Sequence, residues 1–137
     1  MQNKSLHRNV IPATAIAAAG IVTSQTEKAT WGKGIRLFVT VAAATAAGGV
    51  DTIFLCAVPP AGGAAVPIVG FAAANGLSVA GVYVADFYPG AWLPPTVAAG
   101  GALLGAAGIE LPMNWAVRIA MGAGNAATIT VDAELMP

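Results

Sequence analysis

Ile35-Arg36-Leu37-Phe38-Val39-Thr40-Val41 is the stretch that decides the fold. Apolar residues recur at every second position, and β-branched and aromatic side chains dominate. That pattern is a half-buried strand, not a helix. Ile35, Leu37, Val39 and Val41 share one face; Arg36, Phe38 and Thr40 share the other. Thr128 to Leu135 repeats the pattern. Ile129, Val131, Ala133 and Leu135 are expected to face inward, and Thr128, Thr130, Asp132 and Glu134 outward.

Working outward from these two segments gives the rest of the sheet framework. Val50 to Val58 is a strand that is apolar on both faces apart from Asp51 and Thr52. Pro59-Pro60-Ala61-Gly62-Gly63 is a turn, and Val66 to Ala73 starts a third strand. Asn75-Gly76 is a turn signal before Val79 to Phe87, which Pro89-Gly90 stops. Trp115 to Met121 and Thr128 to Leu135 are expected as a closing pair joined around Gly122 to Asn125. Ala13 to Thr23 is expected to add a strand at the start. Ala91 to Ile109 is too long for a hairpin turn and too apolar for a solvated loop. It is expected to be a short helix, or a loop buried against a partner.

Many strands, frequent turns and no long helix predict an all-β chain, an antiparallel β-sandwich or barrel-like single domain. Residues 1–9 are polar and read as an extended N-terminal arm. Residues 10–137 form the domain, with 91–109 as a long apolar insertion.

Composition supplies the exclusions. Hydrophobic residues make up 57% of the 137 positions and charged residues 9%. The apolarity is built from small residues, with 32 Ala and 17 Gly. Uncharged runs extend from Thr52 to Ala85 and from Phe87 to Ile109, but neither suits a spanning helix. Pro59-Pro60, Gly62-Gly63, Pro67 and Gly70 interrupt the first, and Pro89-Gly90, Pro94-Pro95 and Gly100-Gly101 the second. The stretch from Val10 to Val22 is alanine-rich and holds Pro12, so it is expected to be mature structure rather than a secretory signal. Six basic and six acidic residues are scattered, with no basic patch to hold a nucleic acid. Alanine burial removes little area per residue, so the chain gains less than usual from its own core. Apolar surface left outside marks an interaction site. The chain therefore reads as an assembly component.

Chemistry-bearing motifs are sparse. Gly122-Ala123-Gly124-Asn125-Ala126-Ala127 fits G-x-G-x-x-A, but β-prone Thr128-Ile129-Thr130-Val131 follows where a phosphate-binding helix is required. The single histidine, His7, lies in the arm, and Cys56 reads as a small core residue. Asp51, Asp86, Glu110, Asp132 and Glu134 are expected to be solvated or ion-paired. Asp132 and Glu134 alone supply too few oxygens for a cation site. Arg36 and Arg118 are expected to ion-pair across a sheet face or to reach a partner. Trp31 and Trp115 adjoin strands and read as core. Trp92, between Pro89-Gly90 and Pro94-Pro95, is an interface candidate. No catalytic residue, cofactor or metal site is expected, and the chain is not expected to be an enzyme.

Three motifs carry a resemblance: Lys33-Gly34-Ile35-Arg36-Leu37-Phe38-Val39, then Tyr88-Pro89-Gly90, then Leu111-Pro112-Met113-Asn114-Trp115-Ala116-Val117-Arg118-Ile119 followed by Thr128-Ile129-Thr130-Val131. Their order over Trp31 to Leu135 resembles the small β-rich proteins encoded with the head genes of tailed bacteriophages. The resemblance implies a capsid decoration (cement) protein or other minor head protein on the outer surface of the virion. It implies the major capsid protein as partner and a homotrimeric state, with no nucleic acid, membrane or small-molecule substrate. The interface candidates, chosen on composition, are Lys4, His7, Arg8, Trp92, Leu93, Leu103 and Leu104. The alternative expectation is a receptor- or carbohydrate-binding β-sandwich module of a fibre or tail. A third is a structural tail or neck protein.

Overall fold

The structure, a computed structural model, describes residues 6–29, 33–74, 76–90 and 103–136. The strands are β1 (Leu6–Ile16), β2 (Ile21–Thr23), β3 (Glu27–Lys28), β4 (Gly34–Thr45), β5 (Val50–Ala57), β6 (Val66–Ala74), β7 (Gly81–Phe87), β8 (Leu103–Ala107), β9 (Asn114–Ala120) and β10 (Ala126–Met136). One 3-10 turn, Gly76–Ser78, lies between β6 and β7. One five-stranded sheet has the order β1-β10-β4-β7-β8. The other has the order β2-β9-β5-β6, with β3 continuing the edge of β2 along β9. Every pairing is antiparallel except β7 with β8. The two sheets pack face to face as an all-β sandwich.

The core follows the period-two pattern. Ile35, Leu37, Val39 and Val41 of β4 are buried, as are Ile129, Val131, Ala133 and Leu135 of β10. The facing sheet contributes Ile53, Leu55, Trp115, Val117 and Ile119. Phe71 and Phe87 stack with ring centroids 5.4 Å apart, joining the sheets on the β6 side. β7 and β10 alternate throughout, whereas β5 and β9 also bury Cys56 and Ala116 on the outward side of their sheet. Trp115 is core, as expected, although its indole N–H is buried without a hydrogen-bond partner among the described residues.

Several expectations about connectivity need correction. β9 and β10 are not a closing hairpin: β9 pairs with β5 and β10 with β4, so the Gly122–Asn125 turn crosses from one sheet to the other. Ala13 to Thr23 is not one strand. The chain turns at Ala17–Gly20 and passes from β1 in one sheet to β2 in the other. The boundary drawn at Asn9 is not a boundary, because β1 begins at Leu6 and pairs with β10 in register from Leu6↔Leu135. Within 91–109, Leu103–Ala107 is neither helix nor loop but β8, laid parallel to β7. Residues 91–102 lie outside the described residues. Alternation reports which face of a strand is buried; it carries no information on which neighbour the strand chooses, and here loop crossings decide that.

Candidate functional site

One end of the sandwich is organised by Asp51. Its alternation on β5 puts it on the same face as Ile53 and Leu55, and it is 1% exposed. Oδ2 accepts from the Leu77 N–H at 3.0 Å and the Ser78 hydroxyl at 2.9 Å. Oδ1 accepts from the Gly122 N–H and Asn125 Nδ2, both at 2.9 Å. A buried carboxylate needs such donors, because burial strips its hydration. Asn125 is itself fully buried, and its Oδ1 accepts from the Ala47 and Gly48 N–H groups at 2.9 and 3.0 Å. Two side chains therefore tie together the β4–β5 loop, the 3-10 turn and the β9–β10 loop. Glycine permits the approach: a Cβ on Gly122 would stand 2.6 Å from the Val50 nitrogen, and Gly49 has φ +102°. Asp51 was expected to be solvated or ion-paired, and this is a correction. Its parity with Ile53 was legible and pointed to the core.

The opposite end brings the three resemblance motifs together. Gly34 lies under the ring of Tyr88, and a Cβ there would sit 2.6 Å from the Phe87 carbonyl oxygen as well as against the Tyr88 ring. Leu111 N–H donates to the Lys33 carbonyl, and Lys33 N–H donates to the Met136 carbonyl, both at 2.9 Å. Above them on the outward face of the β10–β4–β7 sheet runs the row Glu134–Arg36–Asp86. Arg36 holds Asp86 through Nε–Oδ1 at 2.9 Å and Nη2–Oδ2 at 3.1 Å. That hydrogen bond, then the charge of Asp86, raises the Arg36 pKa above its ordinary value, and Glu134 adds to it. Arg36 is thus the cross-strand ion pair that the sequence offered as one of its two roles.

The flank between β1 and β2–β3 holds an open groove of about 290 Å³. Its lining includes buried Val10 and Ile11 and the polar residues Asn9, Thr14, Ser24 and Glu27. Those polar groups are already engaged. Arg8 Nη1 meets Glu27 Oε2 at 2.8 Å, bridging the two sheets. Asn9 Nδ2 donates to Asp132 at 2.9 Å, and Thr14 donates to the Pro12 carbonyl at 2.6 Å. Ser24 accepts from the Val117 N–H and donates to the Gln25 carbonyl, both at 2.9 Å. No aromatic residue lines the groove among the described residues.

The outward face of the second sheet differs from all of these. Its cross-strand rows are Ile21–Ala120–Thr52–Ala72 and Thr23–Arg118–Phe54–Gly70. Phe54 lies flat over Gly70, where a Cβ would be 2.6 Å from its ring. The last row is covered by the chain after β5: Val58 and Ala65 pack on Cys56 and Ala116. Burial raises the Cys56 pKa, with Arg118 opposing. Arg118 is the sole charge in these rows and is tied down, donating to the Ala65 carbonyl at 2.9 Å and Thr23 Oγ1 at 3.3 Å. Ile21 is 64% exposed and Val50, on β5, is 53% exposed.

The interface candidates fare unevenly. Arg8 is engaged with Glu27 inside the chain, so it is an inter-sheet tie. His7 pairs through its backbone with Glu134, and Leu103 and Leu104 lie on β8 at a sheet edge; their side chains lie outside the described residues. Lys4, Trp92 and Leu93 lie outside the described residues altogether, as does Trp31. Sequence reasoning missed Glu27 and the exposed face around Ile21 and Phe54. Among the described residues no three His, Cys, Asp or Glu side chains cluster as metal ligands. Asp132 is held by Asn9, and Glu134 stands across from Arg36. No helix is long and apolar enough to cross a membrane among the described residues. No protein-family model matches the chain, and no curated protein or solved structure matches it.

Proposed function

We propose that the chain is a structural virion protein, a capsid decoration protein that binds and stabilises the major capsid shell without doing chemistry. The observation that supports it is the outward face of the β2-β9-β5-β6 sheet. Its central rows are Ala, Thr, Gly and Phe with one cation, and that cation is already bonded within the chain. Small-residue surface whose one charge is already bonded within the chain suits burial against another protein. The buried and bridging polar groups named above serve the fold: Asp51 and Asn125 one end, Arg8 and Glu27 one flank. The resemblance of the Lys33-Gly34, Tyr88-Pro89-Gly90 and Leu111-Pro112 motifs supplies the virion context.

The test is capsid binding by a variant of that face. Ile21→Glu places a charge on an exposed outward position without touching the core. Purified variant added to expanded capsids should occupy far fewer sites than the unsubstituted chain while keeping its thermal midpoint. Wild-type occupancy by the variant would sink the assignment of the face. Density for the protein in rings at the neck or tail, and none on the shell, would replace decoration with the tail or neck reading.

A further inference from the structure

The two sides of the sandwich end in very different strand edges. β1, at one side, is closed to further pairing. Two register shifts, between Asn9 and Ile11 and between Ile11 and Thr14, bow it. Pro12 lacks an N–H, its carbonyl is taken by Thr14, and Asn9 Nδ2 reaches the Ile11 carbonyl at 3.5 Å. Arg8 points inward to Glu27 of the other sheet. Bulges, proline and inward charges are the devices by which edges resist strand addition.

β6, at the other side, has these devices at its start alone. Pro67 and the register shift beside Ile68 disturb the first residues. From Val69 to Ala74 the strand pairs regularly with β5, from Leu55↔Val69 to Val50↔Ala74. Alternate backbone N–H and C=O groups of that run point away from β5. Neither β6 nor any residue from Thr52 to Ala85 carries a charge. β8 lies beside β6 across the flank, yet the two do not pair among the described residues. Ile68 is 41% exposed, and Gly70 and Ala72 are exposed.

We propose that the Val69–Ala74 edge of β6 pairs antiparallel with the same edge of a second copy of this chain, joining two sandwiches through one continuous sheet. An antiparallel edge is self-complementary about a two-fold axis: each strand's free donors meet the other's free acceptors. Charge usually forbids such pairing, because like side chains face one another near the axis. Here that penalty is absent, since the strand has none. Small residues at Gly70 and Ala72 let the second strand approach without steric cost. The pairing stands on the geometry of β6 and does not depend on the virion reading. Ile21, which tests that reading, lies on the opposite strand of the sheet.

Light scattering of the full chain over a range of concentrations reads the stoichiometry. A dimer is expected. Ala72→Lys and Ala72→Glu should each weaken it by about tenfold or more, because each sets two like charges near the axis. Near-ultraviolet circular dichroism checks that both variants keep the fold. Hydrogen exchange on the unsubstituted chain gives an independent measurement: β6 amides should gain protection as concentration rises. A monomer at every concentration would overturn the proposal. So would a dimer that survives both substitutions, or β6 protection that ignores concentration.

Discussion

The two ends of the sandwich are held by different chemistry. At the Asp51 end, one buried carboxylate and one buried amide gather three loops through short hydrogen bonds. At the Gly34 end, a ring rests on a glycine, backbone groups bond to one another, and charges sit on the outside. The difference teaches where stability is concentrated. Buried polar networks are costly to break, since each orphaned donor has lost its water. Exposed ion pairs are cheap to break, because water replaces the partner.

The largest effect is therefore expected at Asp51. Asp51→Ala orphans the Leu77, Ser78, Gly122 and Asn125 donors. It should lower the unfolding free energy by about 3–5 kcal/mol, read from urea denaturation. Asp51→Asn should recover less than half of that, since its amide nitrogen would face donors. A loss as small as that of a surface substitution would break the contrast between the ends.

Gly34→Ala probes the other end through packing. The added methyl meets the Tyr88 ring and the Phe87 carbonyl. A cost of about 1–3 kcal/mol is expected, with a lowered thermal midpoint. A cost equal to that of Asp51→Ala would make the two ends equivalent.

Asp86→Asn removes the ion pair with Arg36, whose side chain is 42% exposed. The expected loss is below about 1 kcal/mol and should fade in 1 M salt. A larger, salt-insensitive loss would show that the outward row is as important as the buried network.

The smallest effect is a gain. Ala43 has φ 48° where β4 carries an extra residue opposite β10, between Ala126↔Thr45 and Thr128↔Ala42. A left-handed alanine is strained, and glycine is not. Ala43→Gly should stabilise by up to about 1 kcal/mol in the same denaturation assay. Unchanged or reduced stability would mean that the bulge is fully relaxed.

Period-two alternation made the faces legible. Ile35, Leu37, Val39 and Val41 are buried, and Arg36 of the opposite face reaches Asp86. The same alternation applied to Asp51 would have placed it in the core beside Ile53. The assumption that carboxylates seek solvent concealed it. Arg8 and Glu27 were illegible, because 19 positions separate them and their contact depends on two sheets facing each other. The role of Gly34 was equally hidden, since its neighbour Tyr88 is 54 positions away, just past the end of β7.

By itself the sequence determined the all-β class, the inward faces of β4 and β10, and the absence of an uninterrupted apolar run suited to a spanning helix. Side-chain period and backbone punctuation are local properties, so local sequence carries them. Only the tertiary structure decided that β9 and β10 belong to different sheets and that β8 runs parallel to β7. It alone made Asp51 the tie of one end and left the β6 edge unpaired among the described residues. Those outcomes depend on which segments meet across loops, and strand pairing is set by the packing of the whole chain rather than by any one strand.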